Sequence, residues 1–214
     1  RYAAFLLDTV GRRFYTLRFV DLKSGEVMQD SIPDIAYNYE WTGDSKTVFY
    51  TKQDPESMRW KDVYRHEMGS NSHELVYEEK DNTFNVSVSK GLSERFLYIT
   101  TESTDQSEEY FVDANKPSEA PTLFLPREPN HEYTITDGDN RFYIVTNDKA
   151  TNFKLMETPV DRISKENWQV VVPHREDVLL ETVTVFKDHI VVEEIDNGLA
   201  RIVTIDRLTD DRRM

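Results

Sequence analysis

Cysteine is missing from all 214 residues, which excludes disulfides and thiolate metal sites outright and fits a reducing compartment, so the cytoplasm is the expected location. Glycine (7) and proline (8) are scarce and scattered, so no low-complexity linker divides the chain and no internal domain boundary is expected. Long apolar runs are absent as well. The longest are strand-sized, far short of the roughly 20 residues that a membrane-spanning helix requires. The start shows no basic segment leading into an apolar core and a cleavage site, so neither a signal peptide nor a membrane partner is expected. Positive charge is the last deficit. Lys and Arg total 26 against 40 Asp and Glu, a formal charge of −14 that repels a phosphate backbone and argues against nucleic acid as a partner.

Strand signal dominates what is present. The segments beginning at Phe14, Glu74, Phe84, Arg95, Glu108, Arg141 and Asp188 are short, rich in Val, Ile, Tyr and Phe, and separated by turn chemistry such as Thr42-Gly43-Asp44-Ser45 and Asp196-Asn197-Gly198. Four runs recur at steps of 49, 46 and 47 residues: Val48-Phe49-Tyr50, Leu97-Tyr98-Ile99, Tyr143-Ile144-Val145 and Ile190-Val191-Val192. A second series, centred on Leu17, Tyr64, Phe111, Lys154 and Ile202, steps by 47, 47, 43 and 48. Two independent landmarks with one period of that length predict four-stranded propeller blades. The fold class is therefore all-β, a partial β-propeller holding four full blades and part of a fifth. Because the chain opens on Arg1 inside an apolar run, Tyr2 to Leu7, it reads as an internal portion of a longer polypeptide. The single expected helical turn lies within Val160 to Glu166.

Chemistry is sparse. No G-x-S-x-G elbow exposes a serine nucleophile, and Ser45, Ser93 and Ser107 read as turn residues. The five histidines form no H-E-x-x-H or comparable spacing; His66 and His73 stand seven apart across a glycine-serine turn, and His66 reads as a hydrogen-bonded strand residue. The acidic doublets Glu78-Glu79, Glu108-Glu109 and Glu193-Glu194 are not catalytic dyads, since neighbours on a strand point to opposite faces; they read as solvated strand ends. No phosphate loop or dinucleotide fingerprint occurs, so catalytic, metal and cofactor sites are all expected to be absent.

One stretch carries a resemblance. Arg65, His66 and Gly69 form an R-H-x-x-G turn, followed by Leu75-Val76-Tyr77-Glu78-Glu79-Lys80-Asp81. In order behind it come Phe124-Leu125-Pro126-Arg127, Arg141-Phe142-Tyr143, Pro173-His174-Arg175-Glu176 and Val192-Glu193-Glu194. Together they resemble the N-terminal propeller of the prolyl oligopeptidase family, and within it the oligopeptidase B (protease II) branch, from about Tyr15 to Ile205. The resemblance implies a seven-bladed propeller that gates an α/β-hydrolase domain of the same polypeptide, a partner absent from this chain. It further implies a serine peptidase that cleaves short basic peptides after Arg or Lys, with no catalytic residue in residues 1 to 214. Arg12 and Arg13, after Gly11, resemble a position where family members place arginine against the catalytic domain; simple solvation is the competing reading. Two other functions stay open: the propeller of a prolyl oligopeptidase, and a non-enzymatic propeller serving as a protein-interaction platform.

Overall fold

A computed structural model describes residues 2–209 and 211–213, and its regular structure is eighteen strands with a single 3-10 turn. The first sheet joins six strands in sequence order: β1 (Tyr2–Leu7), β2 (Tyr15–Asp21), β3 (Val27–Trp41), β4 (Thr47–Gln53), β5 (Trp60–Glu67) and β6 (Glu74–Glu78). The second contains β7 (Asn85–Lys90), β8 (Phe96–Glu102), β9 (Ser107–Asp113) and β10 (Thr122–Leu125). The third contains β11 (Tyr133–Gly138), β12 (Arg141–Thr146), β13 (Lys154–Pro159) and β14 (Gln169–Val172). The fourth contains β15 (Val178–Val185), β16 (His189–Asp196), β17 (Leu199–Asp206) and β18 (Arg212–Arg213).

The six-stranded sheet is two blades sharing one long strand. The first half of β3 pairs with β2 (Val20 with Val27, Leu17 with Ile32), and its second half pairs with β4 (Tyr39 with Tyr50, Trp41 with Val48). Between the halves stand Pro33, which has no N–H for a ladder, and Asp34 at φ 57°. The chain thus leaves the edge of one blade and enters the innermost strand of the next without a loop. Counted this way, there is one three-stranded blade and four four-stranded ones, a partial β-propeller. The first series of sequence landmarks falls on the second strand of each full blade (β4, β8, β12, β16), and the second series falls on the third strand of each full blade (β5, β9, β13, β17) and on the middle strand of the three-stranded one (β2).

The chain divides into two compact units. The first comprises the residues up to Lys90 with Arg95–Ser103 and Tyr110–Thr122, and the second comprises Gly91–Glu94, Thr104–Glu109 and everything from Leu123 on. Within the first unit, Val48 and Tyr50 pack with Leu17, Phe19, Ile32 and Ile35, whereas Phe49 packs with Val63, Val86, Val88, Leu97 and Ile99. Alternate side chains of β4 therefore serve opposite faces, both covered, and that is why Val48-Phe49-Tyr50 reads as a continuous apolar run. Truncating Phe49, fully buried, to Ala would cost about 3–5 kcal/mol. In the second unit Tyr143, Val145 and Leu155 pack with Leu180, Val185, Ile190 and Val192 in the same manner.

The helical turn falls slightly later than expected. Residues 159–162 close a hydrogen-bonded turn, Arg162 N–H to the Pro159 carbonyl at 3.0 Å, and the 3-10 turn spans Lys165–Asn167. The Trp168 indole fixes its end by donating to the Ile163 carbonyl at 2.8 Å.

Candidate functional site

The two groups singled out from sequence lie at opposite ends of the same strands. In the β4–β5 pair Thr47 faces Glu67 at one end and Gln53 faces Trp60 at the other. Seven residues of strand separate those ends by about 20 Å. Gln53 Nε2 donates to the Arg13 carbonyl at 2.8 Å, which fixes the Arg12–Arg13 loop at the Trp60 end. Arg65, His66 and Gly69 gather at the Glu67 end, so no single site contains both groups.

Asp8 builds the arginine loop. Its Oδ1 accepts the backbone N–H groups of Val10 (3.1 Å), Gly11 (2.6 Å) and Arg12 (3.3 Å), and its Oδ2 accepts that of Arg13 (2.8 Å). Those N–H groups, Arg13's foremost, hold the Asp8 carboxyl below the usual aspartate range. The wrap turns the chain left-handed at Gly11 (φ 75°) and at Arg13 (φ 61°), which for a residue with a Cβ costs roughly 1–2 kcal/mol. Both arginine side chains are exposed. Beside them the strand ends present an aromatic ladder: Tyr37, 61% exposed, meets Trp60 edge to face at 4.7 Å and Tyr15 at 6.2 Å. Sequence reasoning missed Tyr37 and Trp60. The proline and left-handed aspartate of β3 hide the strand that carries Tyr37, and no local signal places Tyr37 or Trp60 beside the arginines.

At the other end, Arg65 and His66 are neighbours on β5 and so point to opposite faces. Arg65 grips Glu74 in two-pronged fashion (Nε–Oε2 2.9 Å, Nη2–Oε1 2.5 Å) and donates to the Pro117 carbonyl at 2.5 Å, reaching the β9–β10 loop. His66, 3% exposed, turns the other way, with Nε2 at 3.2 Å from Asp30 Oδ1 on β3 and Nδ1 at 3.2 Å from the Ser72 carbonyl. Gly69, at φ 83°, donates its N–H to the same Asp30 oxygen at 2.7 Å. The R-H-x-x-G motif is a bracket that ties one blade to both of its neighbours. Its glycine is required by the positive φ.

The expectation of solvated acidic doublets holds for Glu78 and Glu193, which are exposed, and fails for the other four members. Glu79, Glu108, Glu109 and Glu194 are all buried, at 4%, 7%, 2% and 2% exposure. Buried carboxylates are tolerated because each has partners: Glu79 accepts the Thr101 hydroxyl at 2.7 Å, Glu108 pairs with Arg127 at 3.2 Å, and Glu194 pairs with Arg175. A pattern underlies two of these. The last buried residue of each blade's second strand is polar and bonds to the segment entering that blade: Thr51 to Asn38, Thr101 to Glu79, Thr146 to His131, and Glu194 to Arg175. Alternation on a strand explains why one member of a doublet can be interior, but the partners that make burial affordable come from elsewhere in the chain. Ser107 also departs from its expected turn. It opens β9, buried, with its hydroxyl donating to the Tyr133 carbonyl at 2.6 Å.

No group of three or more His, Asp or Glu side chains among the described residues is arranged to hold a metal ion, and no described helix is long and apolar enough to cross a membrane. Residues 1–213 match the family model of the prolyl oligopeptidase N-terminal beta-propeller domain. The chain is 37% identical to Dipeptidyl aminopeptidase BI of Pseudoxanthomonas mexicana over 98% of its own length and 30% of that protein. It is 33% identical to Protease 2 of Moraxella lacunata over 93% of its length and 29% of that protein. Oligopeptidase B from Leishmania major superposes with a TM-score of 0.91 at 28% identity, covering 98% of this chain and 30% of that one. The chain thus spans about 30% of the length of the curated relatives it matches. With the blades and the family-model match over residues 1–213 in agreement, the chain belongs to the prolyl oligopeptidase family, matching its N-terminal β-propeller domain.

Proposed function

We propose that this chain is the non-catalytic, substrate-gating part of an oligopeptidase B-like serine peptidase acting on short peptides after Arg or Lys in the cytoplasm. The observation that carries the reading is the match over nearly the whole chain to Protease 2 and to oligopeptidase B, in a sequence with no nucleophile elbow of its own. Hydrolysis then belongs to an α/β-hydrolase domain outside these residues. The propeller contributes size exclusion, and opening of the domain interface controls access. Exposed Arg12 and Arg13, on a loop whose backbone Asp8 fixes, are the groups proposed to meet that domain.

A second reading has its own support in the 37% identity to a dipeptidyl aminopeptidase, which would make the parent an exopeptidase releasing dipeptides. One experiment separates the two. The full-length gene product, with this chain assayed beside it, is given an arginyl-arginyl fluorogenic peptide with either a blocked or a free amino terminus. Cleavage of the blocked substrate by the full-length protein alone, stopped by a serine-reactive inhibitor, is the expected result. Activity only on the free amino terminus selects the exopeptidase, and inactivity on both, with prolyl peptides also refused, leaves a non-enzymatic interaction platform.

A further inference from the structure

Both ring nitrogens of His66 face acceptors, the Ser72 carbonyl on one side and the Asp30 carboxylate on the other, each at 3.2 Å. A neutral imidazole owns one N–H and satisfies only one of them; turning the ring over merely exchanges the two nitrogens. Only the imidazolium donates to both. His66 itself is 3% exposed, and a bare ring nitrogen that faces an acceptor oxygen at 3.2 Å sets lone pair against lone pair. We propose that a proton on His66 operates a clasp between two adjacent blades, in which Asp30 of the first blade holds the β5–β6 turn of the second.

The surroundings fit a single charge shared by two rings. His73, at the far end of the same turn, stacks on His66 with centroids 4.7 Å apart and planes 19° from parallel. Two stacked imidazolium rings repel, and His73 is held toward its neutral form first by loss of hydration and then by His66 and Lys52. Its Nδ1 lies 2.9 Å from the Tyr50 hydroxyl, within reach of that O–H when the ring is neutral. Charged and titratable groups around the cluster include Asp30 from β3, Tyr50 and Lys52 from β4, Tyr64 from β5 and, next to His73, Glu74 of β6, which Arg65 holds; β2 contributes the apolar ring of Phe19. When His66 releases its proton to solvent, Asp30 keeps the Gly69 N–H but one histidine contact is lost. The clasp is closed on the acid side and loosens as pH rises.

The test is a long-range nitrogen–proton spectrum of the chain labelled with [15N]histidine, from about pH 5.5 to about pH 8.5, across the imidazole range. His73→Gln, at an exposed position, assigns the neighbouring signal. The expected result is a His66 with both nitrogens protonated at the acid end and a His73 with one bare nitrogen throughout. Amide exchange of residues 67–74, corrected for intrinsic rates, should accelerate about fivefold over that range and lose this acceleration in Asp30→Asn. A His66 with one bare nitrogen at every pH overturns the proposal without any Asp30 variant, and so does an unchanged acceleration in Asp30→Asn.

Discussion

Arg12-Arg13 and Arg65-His66 look alike as text: two basic residues side by side, close to a glycine and a strand. The folded chain treats them as opposites. Around Arg12 and Arg13 the structure spends its hydrogen bonds on the backbone, through Asp8 and Gln53, and leaves the side chains exposed. Around Arg65 and His66 the side chains themselves are consumed, by Glu74, Pro117, Asp30 and Ser72. The difference teaches that a family-resembling motif need not be a functional one. The bracket builds the blades, and the arginines at the other end remain available to something outside them.

The sharpest way to break this contrast is to truncate both sides of it. His66→Ala removes a buried ring and leaves Asp30, whose side chain is only 10% exposed, without its imidazole partner; a loss of about 2–4 kcal/mol is expected in urea unfolding of the chain. Arg12→Ala, measured identically, should stay within about 0.5 kcal/mol. Equal effects would erase the distinction. Next in size is Gly69→Ala. A Cβ there meets nothing within 4 Å, so the whole cost is the left-handed backbone, roughly 1–2 kcal/mol. A neutral result would mean that the turn relaxes, and that the N–H to Asp30 is dispensable.

Much of the fold was legible because it rests on local signals that repeat. Apolar runs such as Val48-Phe49-Tyr50 are buried on both faces, and turn residues punctuate them, so a period of about 47 residues survives in the sequence without any knowledge of pairing. The shared strand β3 was not legible, because Pro33 and Asp34 sit where a strand ought to end. The candidate site was legible only in part. Arg12 and Arg13 stood out as charges, but that one loop is fixed by Asp8 and the other pair consumed by Asp30 and Pro117 depends on residues up to 52 positions away. For the same reason four of the glutamates lie buried against expectation: exposure is a local guess, whereas the hydroxyl of Thr101 that donates to Glu79 is a tertiary fact.

The smallest effects on stability should carry the largest functional meaning. Asp8→Asn weakens the charge that four backbone N–H groups converge on, so the loop's amides should exchange faster while the rest of the chain is unchanged. The same carboxyl gives a pH signature: its folded-state value is depressed, so its contribution is present above the ordinary aspartate range and is lost as pH falls through the lowered value. Arg13→Ala leaves Asp8 and the backbone bonds in place, and its stability should be indistinguishable from that of the unmodified chain. In the full-length protein, however, it should alter domain-opening kinetics and the KM for a basic peptide, because an exposed guanidinium on a prearranged loop loses little on folding and has much to offer a partner surface. If peptidase activity and opening rate both stay unchanged, the exposed arginines are ordinary solvated charge, and the aromatic ladder of Tyr15, Tyr37 and Trp60 becomes the feature at that end left to explain.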